Sequence, residues 1–284
     1  MDQVLTSLVD GLMLGFVYGV AAMGMTLIWG VMRVINLSHG PIIALGMFAM
    51  YFMFQAGLNP YVALVPIGAL GLLVGFLIYT GAVHRVIRAP YLSSLLATFA
   101  VSMMIIGVGT ALLSTSPYNV DYSAGTMRMG ALIIPATRFA AAFAAIVIAG
   151  LLYLFLNRTR PGKAIRAVSN NRAAAELMGI PSSRILALSF GIGTMLAMLS
   201  GGLIATFFPF TILSGDTYQL KSFVIGVLGG LGNPIGALLG GLILGVLEGL
   251  IPTFMPVSWV PVVEFALFVL VLLIRPTGLL GGRA

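Results

Sequence analysis

The chain is a succession of long apolar stretches separated by short polar or basic breaks. The apolar stretches are Gly11–Met32, Pro41–Gly57, Tyr61–Val83, Leu92–Leu113, Phe139–Asn157, Ile185–Leu213, Ser222–Ile251 and Val257–Ile274. Each is far longer than a core strand, so the pattern predicts helices and not a barrel. At 1.5 Å per residue, Gly11–Met32 reaches about 33 Å, enough for a hydrocarbon core of about 30 Å. The expected fold is all-α: a polytopic membrane helical bundle of about eight transmembrane helices, one transmembrane domain over residues 1–284 with a basic loop at 158–184. The seventh stretch is interrupted at Gly232-Asn233-Pro234. It forms either two passes or a re-entrant hairpin, and the pattern allows both.

Composition narrows the class. The 284 residues are 60% hydrophobic and only 7% charged, against about 25% charged in an ordinary soluble domain. So few charges cannot cover a water-soluble surface, which excludes a soluble enzyme. Disorder is excluded too, because it requires low hydrophobicity and high charge. There is no cysteine, hence no disulfide or thiolate metal site, and two histidines are too few for a His-rich one. The start Met1-Asp2-Gln3 lacks the basic segment of a cleavable signal.

Fourteen Lys and Arg against seven Asp and Glu leave a net charge of +7. The basic residues cluster between apolar spans, which indicates membrane orientation and not nucleic-acid binding. The loop holds Arg158, Arg160, Lys163, Arg166, Arg172 and Arg184 against one acid, Glu176. It is expected to be cytoplasmic. Counting spans from it places Arg33, Arg85, Arg88, Arg275 and Arg283 on the same side. Arg128, Arg138 and Lys221 fall opposite, with Asp2, Asp10, Asp121 and Asp216. The N-terminus is then outside and the C-terminus inside.

Glycines recur at helical spacing: Gly11, Gly15 and Gly19 early, then Gly236 and Gly240, and Gly241, Gly245 and Gly249 late. Small residues at this interval let helix backbones approach closely. The two breaks, Asn36-Leu37-Ser38-His39-Gly40-Pro41 and Gly229-Gly230-Leu231-Gly232-Asn233-Pro234, each set Pro where a helix would start, behind Gly or Asn. Helix starts expose free N–H groups, and broken helices carry substrate sites in many transporters. A polar turn at the membrane surface is the other reading. Asn36, Ser38, His39, Gly40, Gly232 and Asn233 are therefore candidate path residues. Glu248 and Glu264 lie in apolar runs, where a carboxylate at the bilayer centre costs about 2.5–3.5 kcal/mol. Each either reaches the interface or faces the bundle interior, where Glu248 is a candidate contact for an ammonium group. Asp216 and Lys221 are expected at the outer rim.

No phosphate-binding loop is present: Gly162-Lys163 is followed by Ala164, with no glycine at the required upstream offset. Neither an HExxH helix nor a carboxylate cluster occurs. Ser38 and His39 are adjacent and cannot form a nucleophile–base pair on one helix face. In the loop, Ser169, Asn170 or Asn171 is expected to cap a short Ala-rich helix over Arg172–Met178 that Gly179 ends. Such a helix would project on the cytoplasmic side and meet a partner, or else pack on lipid headgroups.

The chain resembles the permease subunits of the branched-chain amino acid ABC importer family, which includes urea and short-chain amide permeases. The resemblance rests on Val34-Ile35-Asn36-Leu37-Ser38-His39-Gly40, on Gly162-Lys163-Ala164-Ile165-Arg166-Ala167 with Ala173-Ala174 and Gly179-Ile180, on Val227–Asn233 with Gly236-Ala237 and Gly240-Gly241, and on Arg275–Gly281. It covers nearly the whole chain, and the short N-terminus looks like the shorter permease type. It implies a non-enzymatic inner-membrane subunit that works by ATP-driven alternating access. The implied partners are two cytoplasmic ATPases, a second permease that is a paralogue or a copy, and a periplasmic binding protein. This chain would bind no cofactor itself, ATP and Mg being used by the ATPases. Arg166, Arg172, Ala174, Glu176 and Gly179 match the element that couples permease to ATPase. Family members often carry an acidic residue after His-Gly, where this chain has Pro41. Within the resembled family the alternative is a urea or short-chain amide permease; from the residues alone the alternatives are an ATP-independent channel or secondary transporter relying on Glu248 and Glu264, and an intramembrane hydrolase built on Ser38.

Overall fold

The computed structural model describes residues 2–87, 89–129 and 132–281; Arg88 and Arg283, two of the charges used for orientation, lie outside them. Eleven helices follow in order. They are α1 (Asp2–Met32), α2 (His39–Gln55), α3 (Pro60–Ile78), α4 (Tyr91–Leu113), α5 (Ala136–Arg158), α6 (Arg160–Asn170), α7 (Arg172–Leu177), α8 (Ser182–Ala205), α9 (Ser214–Gly229), α10 (Pro234–Phe254) and α11 (Val260–Ile274). A π-turn over Tyr79–Val83 and a last turn His84–Val86 extend α3. A two-stranded hairpin, β1 (Thr126–Met129) antiparallel to β2 (Leu132–Pro135), precedes α5.

Among the described residues, seven helices are long and apolar enough to cross a membrane. Helices α2, with 17 residues, and α9, with 16, fall short of that length and border the two breaks. The seventh stretch is thus two separate helices. Gly230, at φ +103°, ends α9, and Asn233 caps α10. The short helix α9 also begins earlier than the hydropathy pattern suggests, at Ser214, because the Ser214 hydroxyl accepts from the Thr211 N–H (2.9 Å) and turns the chain there.

Helix α1 is the axis. Its apolar window is 89% buried and that of α8 is 83% buried, whereas α4 and α11 are at 22% and 11% and turn most of their surface outward. The tightest seam joins α1 to α10. A Cβ at Gly11 or Gly15 would land on the carbonyl of Gly245 or Gly241, and one at Gly249 on Ser7. The repeated glycines are therefore the contact itself: backbones touch, and dispersion over that seam replaces side-chain interdigitation. Hydroxyls add bonds where α8 crosses its neighbours. Ser200 Oγ donates to the Val17 carbonyl (2.9 Å), and Thr194 Oγ1 lies 2.9 Å from that of Gly71.

The bundle has a basic end and a far end. At the basic end Ser169 Oγ, on α6, donates to the Gly30 carbonyl (2.6 Å). The C-terminal segment returns there, with Leu279 N–H donating to Leu228 O (2.8 Å) and Leu280 N–H to Gly229 O (3.2 Å). At the far end Tyr118 pairs with Phe210 in an isolated bridge, their rings stack, and Phe48 packs edge to face on both. Arg138 bonds Asp10 there at 3.0 Å.

Candidate substrate path and coupling surface

The first break lies inside the bundle. Helix α1 runs on to Met32, and Arg33, at φ +54°, turns the chain out of it. Residues 34–38 then climb back, so that α2 starts with His39 against Ala21, near the middle of the first apolar span. His39 Nε2 is 3.0 Å from the Ala21 carbonyl, and since a carbonyl only accepts, that nitrogen carries the proton. Asn36 Oδ1 accepts from both Ser38 N–H (3.1 Å) and Ser38 Oγ (2.6 Å). Thr98 Oγ1, on α4, accepts from the Leu37 N–H (3.2 Å). Asn36, Ser38, His39 and Thr98 are at most 1% exposed.

The start of α2 is not an open ring of donors. His39 N–H donates to Asn36 O, Gly40 N–H to Gln219 Oε1 (3.0 Å), and Pro41 has none. What is left unpaired is on side chains: Asn36 Nδ2 and His39 Nδ1 are buried without a hydrogen-bond partner. Each such atom costs about 1–3 kcal/mol. Ser38 is bound to Asn36 and not to His39, so the nucleophile–base pair of a hydrolase is not assembled there.

The second break is a turn at the basic end. Asn233 Oδ1 accepts from Ile235 N–H and Gly236 N–H, both at 3.1 Å, and its Nδ2 donates to Leu280 O (3.1 Å). Gly232, at φ +90°, packs on Gly30. Here too the helix donors are capped.

Glu248 belongs to a third group, deeper toward the far end. Its Oε2 accepts from Lys221 Nζ (2.5 Å) and its Oε1 from Tyr18 OH (3.2 Å). Lys221 is also 3.7 Å from Glu264 and sits 4.9 Å over the Tyr18 ring. One ammonium thus stands between two carboxyl groups, joining α1, α9, α10 and α11. The expectation that Lys221 is a rim charge is corrected: its side chain is only 14% exposed, because Glu248 and Glu264 hold it inward. Asp216 is exposed, as expected. The three candidate groups therefore do not share one cavity. They are strung along α1, against Tyr18, Ala21 and Gly30.

The basic loop folds as two helices. Thr159 Oγ1 accepts from Gly162 N–H (3.1 Å) and caps α6, which buries Gly162, Ile165 and Val168 and exposes Lys163 and Arg166. The chain's i, i+3 spacing of those residues carries the signal for α6. Asn171 Oδ1 accepts from Ala174 N–H (3.0 Å) and caps α7, and Gly179 at φ +80° ends it. Arg172 and Glu176 pair at 3.1 Å. Leu177 and Met178 project at 89% and 83% exposure beyond the bundle.

The family described as the branched-chain amino acid transport system / permease component matches residues 7–272. The chain belongs to this family. Relatives include the high-affinity branched-chain amino acid transport permease proteins LivH of Salmonella typhimurium and LivH of Escherichia coli K12, each 32% identical over 98% of this chain and 95% of the relative. BraD of Pseudomonas aeruginosa is 31% identical over the same shares. No solved structure matches the chain. As a permease component it is a multi-pass membrane protein and a transport subunit, which gives the projecting α7 and the buried polar break a common context.

Proposed function

We propose that the chain is the transmembrane permease subunit of a binding-protein-dependent importer of branched-chain or related amino acids in the bacterial inner membrane. Its basic end, with the C-terminal segment, faces the cytoplasm. Two ATPase subunits grip that end, hydrolyse ATP with Mg, and drive alternating access. A second permease completes the path, and a periplasmic binding protein delivers substrate at the far end.

The observation that carries this reading is α7. Two large apolar side chains, Leu177 and Met178, stand almost wholly exposed on the most basic end of the molecule. A hydrophobic pair outside the membrane is stabilised by burial in a partner groove. Arg172, Ala174, Glu176 and Gly179 shape that projection, and Arg166 lies on the preceding helix. The substrate route passes the buried break Asn36–Gly40, where the two unpaired side-chain nitrogens are able to bind polar groups in transit. Gly232 and Asn233 stand at its cytoplasmic mouth and Glu248 toward its outer part.

The test is reconstitution with the cognate ATPases, second permease and binding protein. Glu176→Arg, Gly179→Val and Leu177→Asp are expected to abolish substrate-stimulated ATP hydrolysis and uptake while membrane insertion persists. Retention of both activities in all three variants would remove α7 from the coupling surface.

A further inference from the structure

A cavity of about 720 Å³ opens at the basic end between α1, α5, α6 and the Gly232–Ile235 turn. Its lining is divided. Met23 and Leu27 of α1 and Leu152 and Leu156 of α5 form an apolar wall, while Lys163 and Arg166 of α6 form the other side. The two cations are one helical turn apart and exposed, and neither has an ion-pair or hydrogen-bond partner among the described residues. No acidic side chain lines the cavity. Helix α6 begins just after the membrane-length helix α5 ends at Arg158 and buries Ile165 and Val168, which sets its cations near the end of a span, where a bilayer changes from acyl chain to headgroup.

We propose that this cavity is a binding site for one acidic phospholipid. The headgroup phosphate pairs with Lys163 and Arg166, and an acyl chain lies along Leu27, Leu152 and Leu156. An uncompensated pair of cations beside an apolar cleft selects a ligand that is anionic at one end and apolar at the other. A free phosphate satisfies only the first half, and a zwitterionic lipid brings its own cation to the two that are present. Basic pockets between transmembrane helices on the cytoplasmic side recognise acidic headgroups by this chemistry. The volume lies within the roughly 300–1,000 Å³ of ligand sites in general. Occupancy would hold α6 against α1 and α5. The site shares Arg166 with the coupling set and Gly232 and Asn233 with the proposed cytoplasmic mouth, so it is tested by lipid retention on the isolated chain, a readout that needs neither transport nor partner subunits.

The experiment uses the full chain, purified and delipidated in detergent, with native mass spectrometry and thermal unfolding as readouts. The probes are phosphatidylglycerol, phosphatidylcholine and inorganic phosphate. Phosphatidylglycerol is expected to be retained at one per chain and to raise the unfolding temperature by several degrees, and the other two to do neither. Lys163→Gln/Arg166→Gln is expected to lower retention at least tenfold. Ile235→Trp, at the 46% exposed rim of the opening, lowers it without touching a charge. Equal retention of phosphatidylcholine, full stabilisation by phosphate alone, or unchanged retention in both variants would overturn the proposal. So would efficient cross-linking of Ile235→Cys to a second protein subunit in the assembled importer, which would make the cavity a protein contact.

Discussion

Replacing Lys221 with methionine tests the buried ionic group most directly. The methionine keeps most of the side-chain volume and removes only the charge. In the native arrangement the ammonium is 2.5 Å from Glu248 and 3.7 Å from Glu264, with the three side chains 14%, 20% and 7% exposed. At an effective dielectric of about 20, a pair at the longer distance attracts by about 4.5 kcal/mol before desolvation is counted. Lys221→Met leaves two carboxyl groups facing each other without a cation, and breaking a buried pair in this way costs about 3–5 kcal/mol. Glu248→Gln is milder. Its one amide oxygen accepts from Lys221, its nitrogen donates to the Tyr18 hydroxyl oxygen in place of the bond that hydroxyl now donates, and the Lys221–Glu264 pair stays intact, so the main loss is the charge-assisted part of one bond, about 1–2 kcal/mol. The double variant removes one charge of each sign and is expected within about 2 kcal/mol of the native protein, less than the sum of the single losses. Equilibrium unfolding in mixed micelles by SDS titration, followed by circular dichroism, gives all four corners of the cycle. A Lys221→Met loss no greater than that of Glu248→Gln, or additive single losses, would refute the view that one ammonium holds both carboxyls.

Three other outcomes follow from the same geometry. Gly245→Val puts side-chain atoms onto the backbones of Gly11 and Gly15; the expected loss is about 1–3 kcal/mol by the same unfolding assay, while Gly150→Ala, which faces open space, is neutral. Asn233→Ala frees two capped N–H groups and the Leu280 carbonyl; it is expected to cost about 1–2 kcal/mol and to speed proteolysis of the C-terminal segment at least severalfold. His39→Leu removes a buried unpaired nitrogen and one bond to the Ala21 carbonyl and is expected to be within about 1 kcal/mol of the native stability, whereas Asn36→Leu also takes the acceptor from the Ser38 N–H and hydroxyl and is expected to cost about 1–3 kcal/mol; reconstituted uptake is expected to fall at least tenfold in both, and undiminished uptake would take the break out of the substrate route.

The helical class and most spans were legible because a membrane helix must bury a continuous run of apolar residues, and each full-length helix here does. The glycine seam was legible in kind, since the i, i+4 series on α1 and α10 are what close backbones require. The partner was not: nothing in Gly11, Gly15 and Gly245 says which helix meets which. The depth of the first break was hidden for a related reason. A polar pentapeptide between apolar runs reads equally as a surface turn, and only the burial of Asn36 and the contact of His39 with Ala21 bring it inside. Lys221 was misplaced because a lone basic residue near a predicted span end is usually a rim charge, whereas its two acidic partners lie 27 and 43 positions further on. The α7 cap and its terminating glycine were visible, because Asn-capping and Gly-ending are local rules. The preceding α6 was not separated from the loop.

On the proposed reading of α7 as the coupling element, the packing offers its motion a route to the proposed path. Helix α7 itself is held loosely, with Ala175 its only buried residue, so it is free to follow a partner. Helix α6 is attached differently. Ile165 and Val168 are buried beneath it, and Ser169 ties it to the Gly30 carbonyl. Gly30 in turn rests on Gly232, so one bond places α6 against both the end of α1 and the turn that starts α10. The glycine seam makes α1 and α10 a stiff pair, since neither backbone is able to slide without carbonyls meeting Cα atoms. A displacement entering at α7 is therefore taken up as rotation of that pair against α2 and α4. Helix α2 begins at His39, directly after the break, and α4 carries Thr98, which accepts from the Leu37 N–H. The buried break is hydrogen-bonded to Thr98 of α4, Ala21 of α1 and Gln219 of α9. Bonds of that strength, about 1 kcal/mol net each, are what a conformational change driven by ATP binding is able to exchange, and the α1–α10 seam is not.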